Sequence, residues 1–200
     1  MCSEAVLPPG KGAYPKRCCR NRPVFRRRSG CGWKEAPIYH EIKTERLLLR
    51  PFTPEDLEAV CQYTLDRENT RYTIWLPHRD RAETARYLET AAEDWRRDPP
   101  LSYEFAVTLD GTVIGGVSVA LTEDRTAAEL GWIINRRYWK RGYATEAALA
   151  ARDFALRELK LRRLFAHCDA RNRDSYRLME RLGLKLEDDT GARTYEDTGE

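Results

Sequence analysis

No stretch of this 200-residue chain approaches the ~20 consecutive apolar residues that a membrane-spanning helix needs. The amino terminus also lacks the apolar core of a secretory signal. Cysteine is scarce where a core can form: of six, Cys2, Cys18, Cys19 and Cys31 fall within the amino-terminal stretch, and only Cys61 and Cys168 follow. That excludes a disulfide framework. A metal site built on Cys18, Cys19 and Cys31 would lack the second spaced pair usual for zinc, so no metal is expected. Charge of one sign is missing too from the part that reads as folded. Residues 1–37 hold nine Lys/Arg against two Glu, a charge of +7 within a total of +3, which leaves −4 on the remainder. A globally basic surface, as expected of a dedicated nucleic-acid binder, is therefore absent there. These absences imply a soluble cytoplasmic protein, and 42% hydrophobic content suffices for one well-buried core.

Residues 1–37 are rich in Pro, Gly, Arg and Cys without helical or alternating periodicity, which predicts a disordered basic extension. Such a segment is either a non-functional extension or an arm for RNA or acidic lipid. Residues 38–200 read as the folded domain. Glu45 to Arg50 is a short apolar strand stopped by Pro51, and Thr53-Pro54-Glu55-Asp56 opens a helix, with Leu57, Val60 and Cys61 on its buried stripe. A second helix, Arg81 to Arg97, shows Ala85, Leu88, Ala92 and Trp95 at helical spacing. Between them Tyr72 to Pro77 is an aromatic-rich loop, either a hydrophobic latch or one wall of a substrate pocket. Strands at 103–108 and 113–119 flank the turn Asp110-Gly111, and 128–134 adds a third meander member. A strand at 163–168 and a helix from Asp174 to Leu182, ended by Gly183, come last. Strand, helix, strand implies a parallel crossover, so the sheet mixes both kinds of pair.

The most informative stretch is Tyr138 to Glu146, between the third meander strand and an Ala-rich helix running from Ala147 to Leu159. A strand, a tight glycine turn and a helix start aim free backbone N–H groups and the positive end of a helix dipole at one point. Gly142 and Ala144 leave no bulk there, and Lys140 and Arg141 add positive charge, so the turn suits a phosphate.

Several motifs in order resemble the GNAT superfamily of acyl-CoA-dependent N-acetyltransferases, in particular its RimJ/RimL-like branch. They are Thr44 to Arg50, Ala128-Glu129-Leu130-Gly131-Trp132, Tyr138 to Ala147, and Asn172 to Gly183, and the order agrees from about Ile42 to Leu186. The resemblance implies an α+β fold: a mixed, mostly antiparallel sheet splayed at the acyl-CoA cleft and flanked by helices. It implies acetyl-CoA as acyl-donor cosubstrate, with its pyrophosphate on the N–H groups of Arg141, Gly142, Tyr143, Ala144 and Thr145. Trp139 departs from the Gln or Arg often found at its place in the family.

Acetyl transfer to an amine needs a neutral nucleophile, a donor to the thioester oxygen and a proton for the leaving thiolate. A bulge at Ile133 and Ile134 is expected to free the backbone donor. Glu129, on the strand leading to the turn, is the candidate base. Asn172 is assigned to the pantetheine amides, with helix capping as its structural alternative, and Ser175 or Tyr176 to protonation of the thiolate. His167 and Cys168 point to opposite faces of a strand and are read as structural.

The family generally continues through two further strands after Leu186, whereas residues 187–200 hold at most one. An absent strand is expected to leave an edge unpaired and part of the acceptor pocket unformed. The expected function is acetyl-CoA-dependent transfer to a primary amine, of a protein N-terminus or a small molecule, by direct attack without metal or covalent enzyme intermediate. The alternatives are a non-catalytic acyl-CoA-binding or interaction protein that lost its acceptor site, and a nucleic-acid-associated protein using the basic arm. No membrane partner is expected, and the acceptor's identity and the oligomeric state have no recognisable code.

Overall fold

The computed structural model describes residues 2–7, 24–28, 39–73 and 77–191. Their strands are β1 (Cys2–Leu7), β2 (Val24–Arg28), β3 (Tyr39–Lys43), β4 (Leu47–Pro51), β5 (Ser102–Leu109), β6 (Thr112–Leu121), β7 (Ala127–Ile134), β8 (Arg163–Asp169) and β9 (Lys185–Gly191). The helices are α1 (Leu57–Thr64), α2 (Arg81–Arg96), α3 (Tyr143–Arg157) and α4 (Arg173–Leu182). All strands join one sheet in the order β2-β3-β4-β5-β6-β7-β8-β1-β9. Every pair is antiparallel except β7 and β8, which α3 connects in parallel.

Alternation decides which face each strand buries. Phe105 and Val107 of β5, Val117 and Val119 of β6 and Leu130 of β7 join a core built on the Ala-rich face of α3 and on Phe154. Each large side chain so buried contributes about 1.5–3 kcal/mol relative to exposure. The opposite face carries α1 and α2, through Val60, Tyr63 and Leu88 with Phe52 and Ala106. The buried stripe of α2 is Thr84, Leu88, Ala91 and Trp95, one position off the expected Ala85 and Ala92, which are only partly buried. The start of α1 is a single 3₁₀ turn, Pro54–Asp56, in which the Asp56 carboxylate accepts from Thr53 N–H and pairs bidentately with Arg50.

Two strands lie within the segment expected to lack regular structure. Val24–Arg28 pairs with β3, and Cys2–Leu7 is inserted between β8 and β9, antiparallel to both, with Val6 only 2% exposed. Composition could not foresee this, because a sheet edge offers backbone partners to almost any extended segment. The expected unpaired edge is corrected by the same observation: among the described residues β9 is the one strand after Leu184, and β1 lies between it and β8. Cys18, Cys19 and Cys31 lie outside the described residues. Among those described, no group of His, Cys, Asp and Glu could hold a metal ion, and no helix is long and apolar enough to cross a membrane.

Candidate active site

β7 and β8 pair only from Ala127 to Glu129 against Arg163 to Phe165. Beyond Glu129 they diverge, and the outer edge of β7 meets no strand among the described residues. The bulge expected to free a backbone donor at Ile133 and Ile134 is not formed: β7 stays in regular register with β6 as far as Ile134. The backbone groups of that edge lack a strand partner because pairing with β8 stops at Glu129. Two residues fix the end of β7. A Cβ on Gly115 would come within 2.2 Å of the Ile133 carbonyl oxygen, so only glycine allows this approach. The indole N–H of Trp139 donates to the Ile134 carbonyl at 2.6 Å, which gives this departure from the family pattern a structural role.

Into the opening projects the start of α3. Gly142 is its N-cap residue at φ 82°, a left-handed conformation that strains any residue with a Cβ, and no side chain caps the helix. The first-turn N–H groups therefore face a cleft of about 460 Å³ whose lining includes Gly142, Tyr143, Ala144 and Thr145. The carboxylate best placed by sequence to cap it, Glu146, is held elsewhere. It accepts from Thr44 Oγ1 at 2.6 Å, from Arg46 N–H at 2.8 Å and from the Arg46 guanidinium at 2.7 Å. Burial alone would raise its pKa, but these bonds hold it below the ordinary carboxylate value. Arg46 also donates to the Arg141 carbonyl at 3.0 Å and lies 4.6 Å above the Tyr143 ring. The Thr44 to Arg50 motif and the Tyr138 to Ala147 motif thus meet, and the first braces the turn of the second. An uncapped helix start on a side-chain-free residue, with Lys140, Arg177 and Arg181 on the same cleft, fits a pyrophosphate.

Further along, Asn172 accepts from Ser175 N–H at 3.2 Å, so the capping role is realised, and the residue also lines the cleft. The Trp132 indole donates to Ser175 Oγ at 3.2 Å. Tyr176 packs against the main core and lines neither this cleft nor the next, so the structure separates it from Ser175. Arg141 likewise stays out of the lining; its guanidinium stands over Tyr138.

A second cavity, of about 420 Å³, continues from the first across Tyr72, Thr73, Trp132, Ile133, Asn172 and Ser175. Its floor is the sheet and its roof is α1, α2 and the loop between them, of which Ile74, Trp75 and Leu76 fall outside the described residues. An acceptor-side cavity is therefore formed, without residues of β9. Glu129 is on its floor with Oε1 2.9 Å from Nδ1 of His167. Sequence reasoning placed His167 outside the site; alternation along β8 could have put it with Phe165 on one face, but only the parallel register with β7 brings it to Glu129. Cys168 is buried, as expected of a structural residue. Glu104 was also missed. Burial pushes its carboxyl up to about 7, while hydrogen bonds from Ser102 at 3.1 Å and Tyr87 at 3.3 Å pull it back.

A mixed sheet parted at a parallel pair, with a phosphate cradle on one side of the parting and an ionisable pocket on the other, defines an acyl-CoA-dependent transferase. The chain belongs to the acetyltransferase (GNAT) domain family, whose pattern it matches over residues 46–185, and acetyl-CoA is its acyl donor. It is 30% identical over 146 residues to the Bacillus subtilis protein "Uncharacterized N-acetyltransferase YnaD", a match covering 73% of this chain and 83% of that one. The spermidine N(1)-acetyltransferase of Escherichia coli K12 is 28% identical over 152 residues, 76% of each chain. The crystal structure of a GNAT-family acetyltransferase from Bacillus anthracis superposes with a TM-score of 0.63 at 32% identity, over 72% of this chain and 82% of that one.

Proposed function

We propose that the protein transfers the acetyl group of acetyl-CoA directly to a primary amine held in the second cavity. The observation that carries this reading is the continuity of the two cavities at Trp132, Ile133, Asn172 and Ser175, with the Glu129–His167 pair on the acceptor side of that junction. Acetyl-CoA supplies an activated acyl carbon, whose bond to sulfur breaks as the bond to the amine nitrogen forms. The N–H groups of Gly142 to Thr145 hold the pyrophosphate, and the open edge of β7 around Ile133 and Ile134 orients the pantetheine arm and its thioester oxygen. Glu129 with His167 takes the proton that leaves the ammonium. Ser175 protonates the thiolate, and the second proton lost by the nitrogen as the amide forms restores the one it gives; the Trp132 indole occupies a lone pair of its oxygen, which leaves the hydroxyl hydrogen to donate. Two curated relatives named as N-acetyltransferases, one of them acting on a polyamine, support an amine acceptor.

The test follows free thiol on mixing the protein with acetyl-CoA and a panel of amines and N-terminal peptides. Turnover is expected, with Ser175→Ala lowering kcat on the order of 10²-fold and Tyr176→Phe leaving it within about twofold. Tight CoA binding with no turnover on any acceptor would sink the reading in favour of a non-catalytic acyl-CoA binder.

A further inference from the structure

The two halves of the cleft have opposite polarity. The cradle side carries Lys140, Arg177 and Arg181 against Glu68 and Asp174, the last paired with Lys140, whereas no Lys or Arg lines the acceptor side among the described residues, and its carboxylates are Glu129 and Glu104. Neither lines the junction itself, but Glu129 is on β7, the strand that carries Trp132 and Ile133 to it. Glu104 is on β5, opposite Ser118 of β6, which is opposite Gly131 of β7, two residues along from Glu129. Two strand spacings across and two residues along place the Glu104 and Glu129 Cα atoms roughly 12 Å apart on one face of the sheet. Each carboxylate is tied to its own neighbours, Glu129 to His167 and Glu104 to Ser102 and Tyr87, so the two mark separate positions along the cavity. Between them Ser118 and Gly131 leave the floor low, and Tyr72 and Tyr87 line the same cavity.

Resting on the acetyl-transfer reading, we propose that Glu104 recognises a second cationic group on the acceptor, so that the acceptor is a diamine or polyamine held between Glu104 and Glu129. The amine nearer Glu129 loses its proton and attacks; the distal ammonium keeps its charge at Glu104. Glu104 is built for such a guest. Its oxygens accept from Ser102 and Tyr87, which fixes the carboxylate, and among the described residues no Lys or Arg pairs with it. Tyr63 from α1 and His78 from the loop before α2 line the same end. Burial and the Asp94 carboxylate of α2 hold Glu104 near half ionisation at neutral pH, and an arriving ammonium completes it. The aromatic rings stabilise the same charge through their faces.

The experiment compares kcat/KM for α,ω-diamines of increasing length with that for n-alkylamines of the same length, using the whole chain and acetyl-CoA. A diamine is expected to exceed its monoamine by on the order of 10–100-fold at one preferred length, the range of a charge-assisted hydrogen bond lost or made. Glu104→Gln is expected to bring that ratio close to one, and in the unaltered chain the ratio should shrink as pH falls below about 7. Monoamines turned over as well as diamines, a ratio unchanged in Glu104→Gln, or faster acetylation of a neutral N-terminal peptide than of any diamine would each overturn the proposal while leaving acetyl transfer standing. Absence of thiol release with every amine would overturn both.

Discussion

At the scale of residues, the chain places a costly carboxyl where a cavity needs one. Glu104 is raised to about 7 by burial, so the folded protein holds a proton on it between the ordinary carboxylate range and about pH 7, where the unfolded chain has released it. The contribution to stability is therefore present at low pH and is lost as pH rises through that window. Glu104→Gln removes the penalty, worth up to about 3 kcal/mol. Thermal unfolding of the ligand-free variant should show a larger gain over the parent at about pH 8 than at about pH 4.5, and an equal gain at both would mean the carboxyl is not desolvated. Such a residue was hardly visible beforehand. In Tyr103-Glu104-Phe105-Ala106-Val107 the Glu looks like the outward member of an alternating strand, and only the docking of α1 and α2 on that face encloses it. Gly142 was visible, because a positive φ at a helix start leaves a glycine in the sequence, whereas His167 needed a register that no sequence pattern prints.

At the scale of elements, the site depends on where β7 ends. Regular pairing with β6 runs to Ile134, and Gly115 permits it by offering no Cβ to the Ile133 carbonyl. Gly115→Ala should force the two strands apart, lowering Tm by roughly 2–10 °C. It should also weaken CoA binding measured by calorimetry, because the edge that faces the pantetheine arm moves with Ile133. A normal dissociation constant in a destabilised variant would separate packing from the site. The strands and helices themselves were largely legible: turn chemistry at Asp110-Gly111, the Thr53 to Asp56 turn, capping at Asn172, and the left-handed Gly183 all act over a few residues. What local chemistry could not specify was the one-position shift of the α2 stripe, and the parting of β7 from β8 already after Glu129. Both are decided by packing against elements distant in sequence.

At the scale of the whole molecule, β1 is the least expected strand and the one with most depending on it. It supplies backbone partners to β8 on one side and to β9 on the other. Deleting residues 1–7 should strip both neighbours of those bonds and uncover the surface against which Val6 is buried, lowering Tm by several degrees and favouring association through the exposed edge. Size-exclusion chromatography and thermal unfolding of the shortened chain would check this, and an unaltered monomer-like profile with unaltered Tm would show that β9 re-pairs with β8 unaided. The position of β1 also sets a timetable for synthesis. Among the described strands, β1 comes first in sequence and pairs only with β8 and β9, which come last, so it stays unpaired until they are made. That pairing joins segments far apart in sequence, a long-range closure and the slowest kind of contact to form.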